Sequence, residues 1–328
     1  MRPSVTSPWL TRLTLAGAGF AFTTGLAFAQ PGPTPCPPLP IQPSPAQIEE
    51  GTKAARDRGF LWRATKDGHT SYLYGTVHVG KLDWMFPGAA VLEALHSAGV
   101  VALELDVLDP DQARLIQEGI AARPDQKLPD ALMQRLRAQL RAACLPEVLL
   151  NTTSPEMIAT TLTVLSARTD GIDPAYAIDT MYATRARSLH KPVASLETPE
   201  LQLKLLMGRT VREAEESVRA ALDDLESGKA SPLLVRIADV WANGRLEELE
   251  SYDKWCACMK TDSDRSMMRR MLDDRNPGLA QGIDAIHASG ASVFAAVGSL
   301  HMIGKRGVPA LLAERGYLVE RVQFGSLR

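Results

Sequence analysis

The chain has 328 residues, 45% of them hydrophobic, enough to fill one large core or two smaller ones. Charged residues make up 23%, a balance that excludes a long disordered body. Lys and Arg number 36 against 38 Asp and Glu, a net charge of −2, and no basic stripe interleaved with aromatics occurs, which argues against a nucleic-acid partner.

Residues 1–29 differ from the rest. Arg2 and Arg12 are their only charges, residues 13–28 are apolar or small, and Ala27-Phe28-Ala29 has the small-x-small form of a cleavage site. This reads as a secretory signal peptide cut after Ala29, giving a periplasmic or secreted protein with no stable membrane insertion once it is removed. An uncleaved anchor is the alternative, but the apolar run falls short of the ~20 residues a spanning helix needs. Residues 30–45 form a Pro-rich linker, with eight prolines between 31 and 45. Export permits disulfides. The four cysteines, Cys36, Cys144, Cys256 and Cys258, allow three connectivities. The preferred one joins Cys36 to Cys144, tying down the Pro-rich arm, and Cys256 to Cys258. The Cys-Ala-Cys pair could instead be redox-active or metal-binding.

Ser44-Pro45 supplies a cap and first residue for a helix ending near 58–59. Residues 60–64 and 70–74 form a strand pair turning at Lys66-Asp67-Gly68, where Asp-Gly is a hairpin signal. The second strand runs into Gly75-Thr76-Val77-His78. A helix at 88–98 and an apolar strand at 100–105 follow, the strand ending in Glu104-Leu105-Asp106. Residues 109–290 are mostly helical by apolar spacing, interrupted by a short strand at 192–196 that ends in Glu197. Near the C-terminus the first order returns: a strand at 292–297, Gly298-Ser299-Leu300-His301, a helix at 308–314 and a strand at 317–322. The predicted fold is therefore α/β, a mixed or parallel central sheet built from two similar β-α-β units lying side by side, with a large helical insertion at about 109–290. Residues 46–328 would form this one domain.

Each Gly-x-x-His histidine then lies just past the carboxyl end of its strand, where α/β sheets place ligand sites. The glycine permits backbone conformations that other residues avoid and a close approach of ligand or chain. One histidine after a strand is an ordinary loop residue; two in matching places point to a site. Glu104 and Glu197 end apolar strands, where a buried carboxylate needs a partner: a metal, an Arg or a substrate. Asp106 and Asp109 suit helix capping instead. Two His with one or two carboxylates suit Zn, Mn, Co or Fe better than Ca, and such an ion would activate water, a second carboxylate serving as base. A metal-free version has His78 as base, oriented by a Glu, with His301 or Arg275 stabilising an oxyanion. Serine-hydrolase, P-loop and His-Glu-x-x-His signatures are absent.

At these residues the chain resembles the TraB/GumN family, which includes the Tiki-like metalloproteases. The matching pieces are residues 72–78, Leu103-Glu104-Leu105-Asp106, Leu196-Glu197-Thr198 with Gln202, Arg275-Asn276 and residues 297–304, in that order, over roughly 48–324. The resemblance implies paired Gly-x-x-His motifs and a Glu in one site, and metal-dependent peptide cleavage with a divalent ion (Mn, Co or Zn). Carried over, His78, His301 and Glu104 would hold the metal, and Glu104, Glu197 and Arg275 would serve catalysis on a peptide or small-molecule substrate. The broader relatives imply two alternatives, a non-catalytic periplasmic binder of haem, metal or a small ligand, and a metal-free esterase-like hydrolase.

Overall fold

The computed structural model describes residues 36–123, 127–256 and 258–325; residues 1–29, read above as a signal peptide, and the first part of the expected linker lie outside them. Six strands form one sheet: β1 (Phe60–Lys66), β2 (His69–Thr76), β3 (Val100–Leu103), β4 (Val193–Ser195), β5 (Val293–Gly298) and β6 (Leu318–Val322), in the order β4-β3-β5-β2-β1-β6. β4, β3, β5 and β2 run parallel; β1 is antiparallel to β2 and to β6. The fold is mixed α/β, as the alternation of apolar strands and helices predicts.

The hairpin turns where Asp-Gly indicates. Lys66 pairs with His69, and Asp67 and Gly68 take φ values of 51° and 80°, the left-handed pair that a two-residue turn between twisted strands requires. β5 is the central strand: Val293, Phe294, Ala295, Ala296 and Val297 are all essentially inaccessible, the apolar run expected of a strand covered on both faces. On one face Tyr182, from the helix Ile178–Ser188, packs its ring 5.2 Å from Tyr74 and 5.1 Å from Phe294. Ser71, an odd number of residues from Tyr74 and so on the other face, meets His287 of the helix Asn276–Ala288 at 2.8 Å.

Two expectations need correction. The first helix covers Pro45–Lys53, not residues up to 58, because Ala54 caps it and Arg56 bridges to Pro87. The two β-α-β units share the sheet but interleave instead of lying side by side: β5 sits between β2 and β3, and β6 crosses to the far edge beside β1. Hydrogen bonding to both β2 and β3 buries β5 completely, which suits its uninterrupted apolar sequence.

Between β3 and β5 the chain is helical apart from β4. The helices Asp130–Ala142, Pro155–Leu165 and Val211–Glu226 build a second core from Leu132, Leu136, Leu140, Ile158, Leu162, Ala214, Val218 and Leu222, four residues apart along each helix. Cys36 is bridged to Cys144, just past the first of these helices, and Cys256 to Cys258, the preferred connectivity. No helix among the described residues is long and apolar enough to cross a membrane.

Candidate active site

The four parallel strands end together. In the β2–β5 pairing Gly75 faces Val297 and Thr76 faces Gly298, so the two Gly-x-x-His motifs leave adjacent strands one residue out of step. Ser299 Oγ donates to the Thr76 carbonyl at 2.9 Å and laces them together. The glycines serve close approach, not unusual backbone angles; neither has a positive φ. A Cβ on Gly75 would stand 2.9 Å from Ser299 Oγ, and one on Gly298 would stand 3.0 Å from Glu104 Oε1, 3.5 Å from His301 Cδ2 and 3.8 Å from His78 Nε2. Gly298 is thus the floor on which both histidines and Glu104 converge.

β3 and β4 bring in the carboxylates. Past the last strand pair, the Glu197 amide donates to the Glu104 carbonyl at 2.9 Å, holding the two residues side by side. Both are nine-tenths buried, and Arg275, at the start of the helix Asn276–Ala288, supplies their partner. Its Nε donates to Glu197 Oε1 at 2.8 Å, its Nη2 to Glu197 Oε2 and to Glu104 Oε2, and its Nη1 to the Met271 carbonyl. Gln202 Nε2 adds a 3.1 Å bond to Glu197, and the Gly298 amide donates to Glu104 Oε1 at 2.7 Å. Burial alone would raise the Glu104 pKa, but His301, His78, Arg275 and the Gly298 amide outweigh it and hold the carboxyl at about 2. Burial likewise pulls Arg275 down, and Glu197 and Glu104 more than restore it.

Each histidine is anchored through Nδ1. His301, buried, faces Asn276 Oδ1 at 2.6 Å, and Asn276 Nδ2 donates to the Arg306 carbonyl at 2.8 Å, which fixes the amide's orientation. His301 therefore carries its proton on Nδ1 and turns an Nε2 lone pair inward, 3.8 Å from Glu104 Oε2. Burial lowers its pKa against the pull of Glu104, so it is neutral at pH 7. His78 Nδ1 meets Asp179 Oδ2 at 2.9 Å. Asp179 raises the His78 pKa to about 9, against the opposing effect of burial, although 64% of the side chain is open to solvent, which screens the pair. The orienting carboxylate of His78 is thus Asp179, not a Glu. Neither Nε2 makes a hydrogen bond among the described residues.

Sequence reasoning missed Asp179 and the role of Asn276. Asp179 lies in the first turn of the helix Ile178–Ser188, where an acid is the ordinary complement of the helix dipole, so nothing local separates the two uses. Asp109 does cap its helix, accepting from the amides of Asp111 and Gln112, whereas Asp106 pairs with Arg187 at 2.6 Å. The donor chemistry of His78, His301 and Glu104 fits a divalent ion: two imidazoles with free Nε2 atoms, each held through its other nitrogen, beside a carboxylate. Their spacing does not close on one, since among the described residues no three His, Cys, Asp or Glu side chains stand close enough to hold an ion between them.

An α/β protein with a histidine–carboxylate–arginine cluster at the carboxyl ends of its parallel strands is the class that fold and site define. The chain belongs to the TraB/PrgY/gumN family, whose profile matches residues 60–321. It is similar to "uncharacterized protein YbaP" of Shigella flexneri, 24% identical over 265 residues, spanning 79% of this chain and 95% of that protein. The YbaP protein of Escherichia coli K12 is 23% identical over the same length. No solved structure matches the chain.

Proposed function

We propose that this protein is an exported, metal-dependent hydrolase that cleaves peptides, with His78, His301 and Glu104 holding a divalent ion of the Mn, Co or Zn type. The observation that carries this reading is the pair of Nε2 atoms left free beside Glu104 while Asp179 and Asn276 engage both Nδ1 atoms, the arrangement that orients metal-ligating histidines. When bound, the ion supplies a Lewis acid and an activated water. Glu197 and Arg275 support Glu104: the guanidinium holds both carboxylates ionised and competes with the ion for Glu104 Oε2. His78, a cation below about pH 9, must release a proton to act as a ligand, so ion uptake strengthens as pH rises. The two disulfides, one closing a long loop, fit an oxidising compartment and the signal-like N-terminus.

The test is hydrolysis of a mixed peptide library by the purified chain with Mn²⁺, Co²⁺ or Zn²⁺ added in turn. Cleavage that chelation abolishes and that His78→Ala and His301→Ala each remove is the expected result; a chain that cleaves nothing with any ion refutes the reading. A second reading is metal-free ester hydrolysis, favoured by one observation: His78 paired with Asp179 is a base with its orienting acid once its proton leaves near pH 9. Ester cleavage that survives chelation and is lost in Asp179→Ala selects it.

A further inference from the structure

A cavity of about 240 Å³ adjoins the site and takes no part in the chemistry above. Its lining comes from segments that also carry the cluster: Leu300 and Ile303 lie either side of His301 in the chain, and Leu272 and Asp273 come just before Arg275. Glu250 and Tyr252 complete the lining with Gly304. The lining has two kinds of surface. Leu272, Leu300, Ile303 and the Tyr252 ring are apolar and half-buried; Glu250 and Asp273 are carboxylates, and neither side chain enters an ion pair or hydrogen bond among the described residues. Arg306 reaches this corner but donates to the Asp273 carbonyl, at 3.2 Å, and leaves its carboxylate free. The negative field is felt locally, since the Tyr252 hydroxyl is pushed up by burial and then by Asp273 and Asp253.

A pocket with apolar walls and unneutralised carboxylates complements a ligand that is apolar along its length and cationic at its tip. Lysine and arginine side chains have that form. The cavity is smaller than the roughly 300–1,000 Å³ of sites that enclose a whole small molecule, so it suits one long side chain of something larger. We propose that this cavity is a specificity subsite that receives a basic aliphatic side chain, lysine or arginine, of the chain's substrate. The word substrate rests on the function proposed above; the binding does not.

The experiment is a methyl NMR titration of the full exported chain, without added metal, following Leu300 and Ile303. The probes are the Nα-acetyl amides of lysine, arginine, norleucine and glutamate. The lysine and arginine compounds should shift both residues and saturate at least about tenfold more tightly than norleucine, with glutamate weakest. Asp273→Asn and Glu250→Gln should each shrink that advantage. Norleucine binding as tightly as lysine to the wild-type chain, or shifts that bypass Leu300 and Ile303, overturns the proposal without recourse to any variant. A chain that hydrolyses nothing yet prefers lysine keeps the subsite and loses the hydrolase. One that cleaves peptides with no preference for basic residues at either site keeps the hydrolase and loses the subsite.

Discussion

The sheet and the helical insertion handle charge in opposite ways. At the carboxyl ends of the parallel strands Glu104, Glu197 and Asn276 are nine-tenths buried or more, with Arg275 locked between the two carboxylates. In the three-helix core of the insertion the interior is aliphatic, and the charges lie outside as pairs one turn apart: Arg209 with Glu213, Arg212 with Glu216, Arg219 with Glu215. A buried charge is costly unless every group around it is satisfied, so a fold tolerates such a cluster where it does work. Among the described residues that three-helix core holds one exception, Glu156, buried with Oε1 unpartnered; the structure offers no explanation for it.

Breaking the buried cluster should have the largest effect. Arg275→Ala leaves Glu104 and Glu197 unpaired side by side and is expected to cost about 3–5 kcal/mol in urea denaturation; a loss near zero would mean that the cluster is solvated and the contrast false. Next comes Leu136→Ala in the insertion, fully buried, with an expected loss of about 2–5 kcal/mol. That variant should leave ion binding and any activity unchanged, and a parallel loss of activity would show that the two regions are not separable.

A smaller effect concerns pH. The folded pKa of His78, about 9, lies above its ordinary value of 6.5, so its pairing with Asp179 contributes stability that is fully present below 6.5 and fades as pH rises through about 9. Asp179→Asn removes that dependence and should draw the alkaline midpoint of the His78 ring, read by NMR, down toward 6.5; a midpoint unmoved from 9 would assign the shift to another group. Least of all should follow from Arg212→Ala, whose side chain is 87% exposed: losing its pair with Glu216 should leave the denaturation midpoint unchanged, and a resolvable loss would blur the distinction between surface and site.

Much of this was legible in the sequence because it depends on local pattern. All six strands stand out as β-branched or aromatic runs, the Asp-Gly turn fixes the hairpin, and glycine spacing marks both histidines. Glu104, Glu197 and Arg275 could be picked out because a charge ending an apolar strand or a helix demands a partner. What could not be read is tertiary. The interleaving of the two β-α-β units follows from β5 inserting between β2 and β3, which no local window records. Asp179 and Asn276 look like a first-turn acid and a helix-start polar residue, and acquire their roles only when their helices lie across the strand ends. Of the two uses the sequence allows the motif glycines, unusual backbone angles and close approach, the structure bears out the second: they need the absence of a side chain at the crossing.

The central claim is that the two Gly-x-x-His motifs form one centre. A double-mutant cycle on Mn²⁺ affinity, with wild type, His78→Ala, His301→Ala and the double variant in calorimetric titration, tests it most directly. One saturable ion per wild-type chain, an affinity loss of about tenfold or more in each single variant, and a double variant little worse than either is the predicted result. No saturable ion in the wild type, or losses that simply add, would contradict it.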